Sequence, residues 1–283
     1  MPPHHARRAR DGFDEELHED RHLGRWELTR WTSPLGRLLL ALARWVGRLL
    51  GPHHTLVLVL AVGAVLASTM TWLAGETYED VADSDGVARL DEPLLEAMGE
   101  LRTPWLASAV TAFTDLGSAV VMPVLAGAVM IGLAVRRRSW TPVILIAGAG
   151  IGSVLMTIAG KDLVGRARPP LSAAVPPFES SPSFPSGHSL NALVVAGVIA
   201  YLLLLRQRSR WARVVTVTVA AVFAGAMGLS RVFLGHHWFT DVLAAWTLGA
   251  GWLAVVITAH RLHLTLRHDP RRQAGPRDAG EPP

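Results

Sequence analysis

Residues 189–205 have the sequence SLNALVVAGVIAYLLLL, a run without any side chain that is charged at neutral pH. An α-helix of roughly 20 apolar residues crosses a hydrocarbon core of about 30 Å. The chain contains six runs of comparable length and polarity, which predicts an all-α bundle of six membrane-spanning helices. They lie near residues 55–75, 117–135, 140–160, 189–205, 212–230 and 239–259.

Composition agrees with a membrane protein, because 50% of the 283 residues are hydrophobic and only 18% are charged. The chain has no cysteine, which excludes disulfides and thiolate metal ligands. Its net charge of +4 does not indicate a nucleic-acid partner, because the arginines cluster at the ends of apolar runs. No signal peptide is evident, so we expect insertion through the first span.

The arginine clusters predict the orientation. Cytoplasmic loops of membrane proteins carry an excess of Lys and Arg. Here the basic clusters lie before the first predicted span and after the second, fourth and sixth. Both termini are therefore expected in the cytoplasm, in a multi-pass protein of the plasma membrane. Residues 76–116, with ten acidic and two basic side chains, are expected to face outward.

The segments outside the spans differ in character. We expect a short outer helix near Leu90–Leu101 and an ordered, irregular loop over 161–188, which is rich in Pro and Ser. Tryptophans close to span ends are expected to anchor at the membrane interface. The predicted organisation is a polar, flexible segment 1–33, an amphipathic interfacial helix 34–50, a catalytic membrane domain 51–265 and a disordered tail 266–283.

Three polar clusters lie at span ends, and the predicted topology brings all three to the outer face. The first begins at Lys161, the only lysine of the chain, and includes Arg168. The second is Pro-Ser-Gly-His at 185–188, and the third runs from Ser230 to Asp241. Because composition alone does not require this convergence, it indicates a single site.

The residue types suit the binding of a phosphoryl group. Lys161, Arg168 and Arg231 would supply cationic donors, which are disfavoured on the outer face unless they have a function. The backbone amides of Ser186 and Gly187 could point at phosphate oxygens in front of a helix N-terminus.

Two histidines complete the set of candidate catalytic residues. His188 lies at the start of the fourth span, and His237 and Asp241 are four residues apart at the start of the sixth. We expect this pair to share a helical face, so that the carboxylate engages one imidazole nitrogen and leaves the other free as a nucleophile. Taken alone, the pair is also typical of a surface histidine with an acidic residue at a helix N-terminus. His236 is expected to point elsewhere.

Together, the three clusters resemble the three signature motifs of the type-2 phosphatidic-acid phosphatase superfamily. Lys161 precedes Arg168-Pro169 by six intervening residues, PSGH follows, and Ser230-Arg231 precedes His237 and Asp241. The motifs cover about 80 residues directly, and the six-span pattern extends the resemblance over roughly residues 55–260.

The resemblance implies an integral membrane lipid phosphatase that uses a phosphohistidine and neither metal nor other cofactor. His237 would attack phosphorus, Asp241 would orient it, and His188 would protonate the leaving oxygen and later activate water. Lys161, Arg168, Arg231, Ser186 and Gly187 would hold the phosphoryl oxygens. Asp162 and Arg166 occupy variable motif positions and receive no role.

Several functions fit this pattern. The substrate could be phosphatidate, phosphatidylglycerol phosphate or an undecaprenyl diphosphate, and the same intermediate would allow phosphoryl transfer to another lipid or sugar. Vanadate-dependent haloperoxidases share the superfamily but resemble soluble bundles. A non-catalytic lipid transporter or scaffold is disfavoured by the complete set of catalytic residues. The sequence does not indicate the headgroup, the tail or the oligomeric state.

Overall fold

The computed structural model describes residues 20, 22–23, 26–51, 54–65, 67, 69 and 87–267. Apart from two-residue antiparallel strands, β1 (His22–Leu23) and β2 (Trp26–Glu27), its regular structure is helical. The all-α expectation is therefore confirmed for this part of the chain. Most of the segment 1–33, the end of the first predicted span and nearly all of the tail 266–283 lie outside the described residues.

The described residues form nine α-helices, numbered here in chain order. They are α1 (Pro34–Leu50), α2 (His54–Val65), α3 (Asp91–Glu100), α4 (Pro104–Thr114), α5 (Val121–Arg137), α6 (Thr141–Val164), α7 (Gly187–Arg206), α8 (Arg210–Phe233) and α9 (Phe239–Arg267).

Among the described residues, four helices, α6 to α9, are long and apolar enough to cross a membrane. A fifth span results if Pro104–Gly117 and α5, which meet at an angle of 52°, are taken together. The sequence predicted a span over 117–135, which covers most of α5, and it made no prediction for α4. Asp115 and a 3₁₀ turn at Asp115–Gly117 separate the two apolar helices.

The described chain forms two compact units, of which the smaller comprises residues from Met1–Val59 and Thr258–Pro283. Within it, Ser33 caps α1 by accepting a 3.0 Å hydrogen bond from the Gly36 amide. The buried side of α1 contributes Leu40 and Ala43 to a cluster with Leu262 and Leu266. A second side of α1 is apolar and 55–69% exposed, and it consists of Leu35, Leu38, Leu42, Trp45 and Leu49.

The larger unit, Leu60–Ile257, is organised around α7. In the most apolar part of α7, 56% of the residues are buried inside the protein, against 17% for α8. Small residues let the helices approach closely, as is common in membrane bundles. Gly152 of α6 lies under the indole of Trp252, whose Nε1 donates to the carbonyl of Ala149 at 2.9 Å.

The connections place the polar clusters at one end of this unit. Helix α6 ends at Val164, and the next residue, Gly165, has a φ of 62° in the left-handed region. The following segment, 165–186, is an irregular loop with one 3₁₀ turn, Leu171–Ala173, and it is shorter than the loop expected over 161–188 because both flanking helices extend into that range. Because successive long helices alternate in direction, the ends of α6 and α8 meet the starts of α7 and α9.

Three of the tryptophans expected at the membrane interface protrude from the bundle. Trp105, Trp140 and Trp211 are 68–75% exposed, which fits that expectation. Trp238 differs, because its indole donates to the carbonyl of Ala167 at 2.9 Å. Trp72 lies outside the described residues.

Candidate active site

The three motif clusters are in contact, as the sequence predicted. Arg168 Nη1, from the first cluster, lies 3.2 Å from His237 Nε2 in the third. The backbone N–H of Ser186, from the second, donates to the carbonyl of Asp241 at 3.3 Å. The first, second and third motifs therefore share one polar site at the ends of four helices.

His237 lies in the turn between α8 and α9 and is 1% exposed. The turn needs Gly235, whose φ is 70° and whose position would place a Cβ only 2.0 Å from the carbonyl oxygen of Ala173. The expectation that His237 and Asp241 share a helical face is wrong, because α9 begins at Phe239. The pair still meets, since Asp241 reaches back from the first turn of α9.

The carboxylate of Asp241 fixes the orientation of the imidazole. Its Oδ2 lies 3.5 Å from His237 Nδ1 and accepts hydrogen bonds from the Ser183 hydroxyl at 2.5 Å and from the Trp238 amide at 3.0 Å. The other ring nitrogen, Nε2, faces Arg168. This geometry directs Nδ1 at a buried acceptor and leaves Nε2 on the side of the predicted phosphate-binding arginine.

Arg166, to which the sequence assigned no role, supports the same carboxylate. Its Nη1 donates to Asp241 Oδ1 at 2.6 Å and its Nη2 to Asp91 Oδ2 at 2.8 Å. Asp91 belongs to α3 and also accepts from the Thr240 amide at 2.8 Å. Helix α3 is thus tied to the carboxylate of Asp241 through one guanidinium.

Burial lowers the pKa of His237 from 6.5 to about 4, and the charges of Arg168 and Arg231 act in the same direction. The hydrogen bond and charge of Asp241 oppose this shift without cancelling it. The imidazole is therefore neutral at physiological pH, which is the state that a nucleophile requires.

The three predicted cations surround the loop that follows the first motif. Lys161 Nζ donates to Ser181 Oγ at 2.9 Å and to the Pro182 carbonyl at 2.5 Å. Arg168 Nε donates to the Ser181 carbonyl at 2.6 Å. Arg231 is 2% exposed, and its Nη1 lies 3.2 Å from the hydroxyl of Thr114 on α4.

The second motif differs partly from the expectation. The Ser186 amide donates to the Asp241 carbonyl and the Ser186 hydroxyl lies 2.7 Å from Ser189 Oγ, so neither is directed at a ligand. Gly187 is the first residue of α7, and a Cβ there would lie 3.1 Å from Thr157. His188 lies beside Gly117 and within electrostatic reach of His237 and Arg231.

One acidic residue that sequence reasoning missed lies among the cations. Glu179 Oε2 is 2.7 Å from Arg168 Nη2, and Oε1 accepts a hydrogen bond from Arg231 Nη2. Burial alone would raise its pKa, but Arg231 and Arg168 hold the pKa at about 2. A signal existed in the sequence, because Glu179 is the only acidic residue between Asp162 and Asp241.

His236, expected to point elsewhere, connects the site to the loop. Its Nε2 lies 2.7 Å from the carbonyl of Val175, and its own carbonyl accepts from Arg168 Nη1 at 2.6 Å. Burial lowers its pKa, and the charge of Arg231 adds to this effect. A neutral His236 thus holds the loop that carries Glu179.

Known proteins share both the sequence and the fold. Residues 140–263 match the model of the PAP2 superfamily. Phosphatidylglycerophosphatase B of Bacillus subtilis (strain 168) is 36% identical over 168 residues, which cover 59% of this chain and 81% of that protein. The chain belongs to the PAP2 superfamily.

Two further PAP2 comparisons define the extent of the likeness. The crystal structure of a transmembrane PAP2-type phosphatidylglycerolphosphate phosphatase from Bacillus subtilis superposes with a TM-score of 0.59 at 30% identity, over 67% of this chain and 93% of that one. Lipid A 1-phosphatase of Porphyromonas gingivalis is 33% identical over 115 residues, 40% of this chain and 23% of that protein.

Membership in the PAP2 superfamily confirms the resemblance drawn from the motifs. The family match contains α6 to α9 almost entirely, with all three motif clusters and the loop between them. The protein is a PAP2 membrane phosphatase, a hydrolase with several membrane-spanning helices. Helices α1 to α5, which supply Asp91 and Thr114 to the site, precede the matched region.

Proposed function

We propose that this protein hydrolyses a phosphomonoester or diphosphate of a membrane lipid through a phosphohistidine on His237. The observation that carries the proposal is the orientation of the buried imidazole, with Nδ1 toward Asp241 and Nε2 toward Arg168. A nucleophile held between an anchoring carboxylate and a phosphate-binding cation suits attack on phosphorus.

The reaction proceeds in two displacements. His237 Nε2 attacks phosphorus, the P–N bond forms, and the P–O bond to the lipid breaks while His188 donates a proton to the leaving oxygen. His188 then takes a proton from water, which attacks the phosphohistidine, breaks the P–N bond and releases phosphate. Arg168 and Arg231 stabilise the charge on the phosphoryl oxygens in both steps.

A cavity in the larger unit supports a lipid substrate. It has a volume of about 540 Å³ and lies between α5, α6 and α7. Its walls are mostly apolar, and the lining residues Ile151, Val154 and Leu155 are 46–62% exposed. Asn191 also lines the cavity and lies one helical turn from His188. Such a cavity can hold a lipid tail while its headgroup reaches the site.

The site lies on the outer face of the plasma membrane in this proposal, and both termini are cytoplasmic. The support is the distribution of basic residues, because Arg136–Arg138 and the Arg206–Arg213 segment lie at the helix ends opposite the site. The proposed six spans are the four long helices, the bent α4–α5 pair taken as one span, and α2. Of α2, 12 consecutive residues are described.

Helix α1 is proposed to lie on the inner membrane surface. Its exposed side has leucines and Trp45 at helical spacing, and Arg37, Arg44 and Arg48 occupy another side. This arrangement is typical of interfacial helices.

The enzymatic test uses the purified full chain in detergent with phosphatidate, phosphatidylglycerol phosphate and undecaprenyl diphosphate. We expect phosphate release from at least one of them and an acid-labile, base-stable phosphoprotein after rapid quenching. Adding lipid or sugar acceptors tests phosphoryl transfer by product analysis. Absence of turnover on all three lipids would contradict the substrate class.

Orientation can be tested cleanly because the chain has no cysteine. Single substitutions Leu171→Cys at the site end and Arg208→Cys at the opposite end are labelled on intact cells with a membrane-impermeant maleimide. We expect labelling of Leu171→Cys only, and the reverse pattern would overturn the proposed orientation.

A further inference from the structure

The carboxylate of Glu179 lies where a phosphoryl group would be expected to bind. One oxygen is 2.7 Å from Arg168 Nη2, and the other accepts from Arg231 Nη2 and lies 4.0 Å from His236 Nδ1. A carboxylate that bridges two guanidinium groups uses the same donors that a phosphate uses. Glu179 also interacts electrostatically with His237 and His188.

The partners of Glu179 are fixed, whereas Glu179 itself is accessible. The side chains of Arg231 and Arg168 are 2% and 12% exposed, and that of Glu179 is 30% exposed. Two buried guanidinium groups without a counter-charge would be costly. The carboxylate therefore compensates them while no substrate is bound, and it is the member of the cluster that can move toward solvent.

The loop on both sides of Glu179 is held by contacts that do not involve its carboxylate. On one side, the Val175 amide donates to the Leu234 carbonyl at 2.9 Å. On the other, Lys161 holds Ser181 and Pro182. Rotation of the Glu179 side chain alone would free the guanidinium donors of Arg168 and Arg231, so the loop would not need to move.

We propose that Glu179 is an internal competitor for the phosphoryl site, which neutralises Arg168 and Arg231 in the free enzyme and is displaced by the incoming phosphate group. This inference rests on the proposed function only for the placement of the phosphoryl group between these arginines. It assigns Glu179 a role in setting substrate affinity, distinct from the chemistry at His237.

The test measures binding of inorganic phosphate to the purified full chain in detergent by isothermal titration calorimetry, without turnover. If the Glu179 carboxylate occupies the site in most molecules, the apparent affinity for phosphate is reduced in proportion to the fraction of sites that are open. Glu179→Gln should therefore bind phosphate roughly tenfold more tightly than the wild type. Glu179→Asp, which retains the charge but is too short to bridge both arginines, should fall between Glu179→Gln and the wild type. Glu96→Gln, an exposed carboxylate on α3, serves as the matched control and should bind as the wild type does.

A second readout separates competition from a merely structural role. Without phosphate, Glu179→Gln should melt at a lower temperature than the wild type, because two buried cations lose their counter-charge, and saturating phosphate should remove most of that difference. Unchanged or weaker phosphate binding in Glu179→Gln would overturn the inference. Tighter phosphate binding in a protein that hydrolyses none of the lipid phosphates would support it while contradicting the proposed substrate class.

Discussion

The two halves of the active site satisfy their buried charges in different ways. In the histidine half, Asp241 has partners from the first-motif loop, the loop before the second motif and the turn before its own helix, through Arg166, Ser183 and Trp238. In the arginine half, the counter-charge of Arg231 comes from Glu179, on a loop and partly exposed. In the proposed mechanism, the nucleophile would be fixed before substrate arrives, whereas the phosphate-binding cations would carry a replaceable partner.

This difference follows from what each half must do. A nucleophile gains from a fixed orientation, because a misplaced ring lowers the rate without any change in substrate affinity. A phosphate site must accept an anion and release it, so its cations need a partner that can leave. Substitutions in the two halves should therefore affect kcat and KM differently.

The largest expected effect is the loss of the nucleophile. His237→Ala should reduce kcat at least about a thousandfold, as removal of one member of a catalytic unit commonly does. The measurement is phosphate release together with trapping of the phosphoprotein. His54→Ala, an exposed histidine on α2, is the control and should retain wild-type activity. A phosphoprotein that persists in His237→Ala would place the nucleophile elsewhere.

The next effect concerns the orientation of the imidazole. Asp241→Asn keeps the shape of the side chain but removes the charge that holds Nδ1, and kcat should fall roughly a hundredfold to ten-thousandfold with KM nearly constant. Arg166→Lys should have a smaller effect of the same kind, because lysine cannot bridge Asp91 and Asp241. A change confined to KM would contradict this division of the site.

The sequence predicted the contact between His237 and Asp241 because the two residues are close in the chain. His237 and Asp241 stand four residues apart, and pairing required only that a helix begin nearby. The arginine half was incomplete, since Glu179 belongs to a loop whose path no periodic pattern determines. Asp91 and Thr114 were missed because they come from α3 and α4, which are far away in sequence, and α4 was not predicted.

The length of the apolar runs predicted the positions of α6 to α9, because a long hydrophobic segment in a membrane has few alternatives to a spanning helix. The amide of Ser186 was assigned to phosphate from the PSGH motif alone, but the start of α9 is close enough to accept it. Motif spacing identifies candidate donors, and only tertiary packing determines which of them remain available.

A moderate effect is expected at the single lysine. Lys161→Arg should raise KM about tenfold, because a planar guanidinium cannot reproduce the two contacts that Nζ makes with Ser181 and Pro182. Steady-state kinetics on the preferred lipid provide the measurement, and kcat should change less than KM. Wild-type KM in Lys161→Ala would show that the lysine does not support the phosphate site.

The smallest expected effect is the response to mild acid. His237 must be neutral to attack, and because its pKa is lowered from 6.5 to about 4, its contribution to the rate is lost only as pH falls through about 4. Between pH 7 and pH 5, kcat/KM corrected for ionisation of the substrate should lose on the order of a tenth from this group. An acid limb near pH 6.5 assigned to His237 would contradict its burial.

If the cavity between α5, α6 and α7 holds the lipid tail as proposed, the relevant substrate concentration is the one within the membrane. A tail that enters through the apolar wall of the bundle never leaves the bilayer, so the enzyme samples lipids in two dimensions. Its saturation is then set by the mole fraction of substrate among the surrounding lipids or detergent, and diluting a mixed micelle with more detergent should slow the enzyme at constant total substrate.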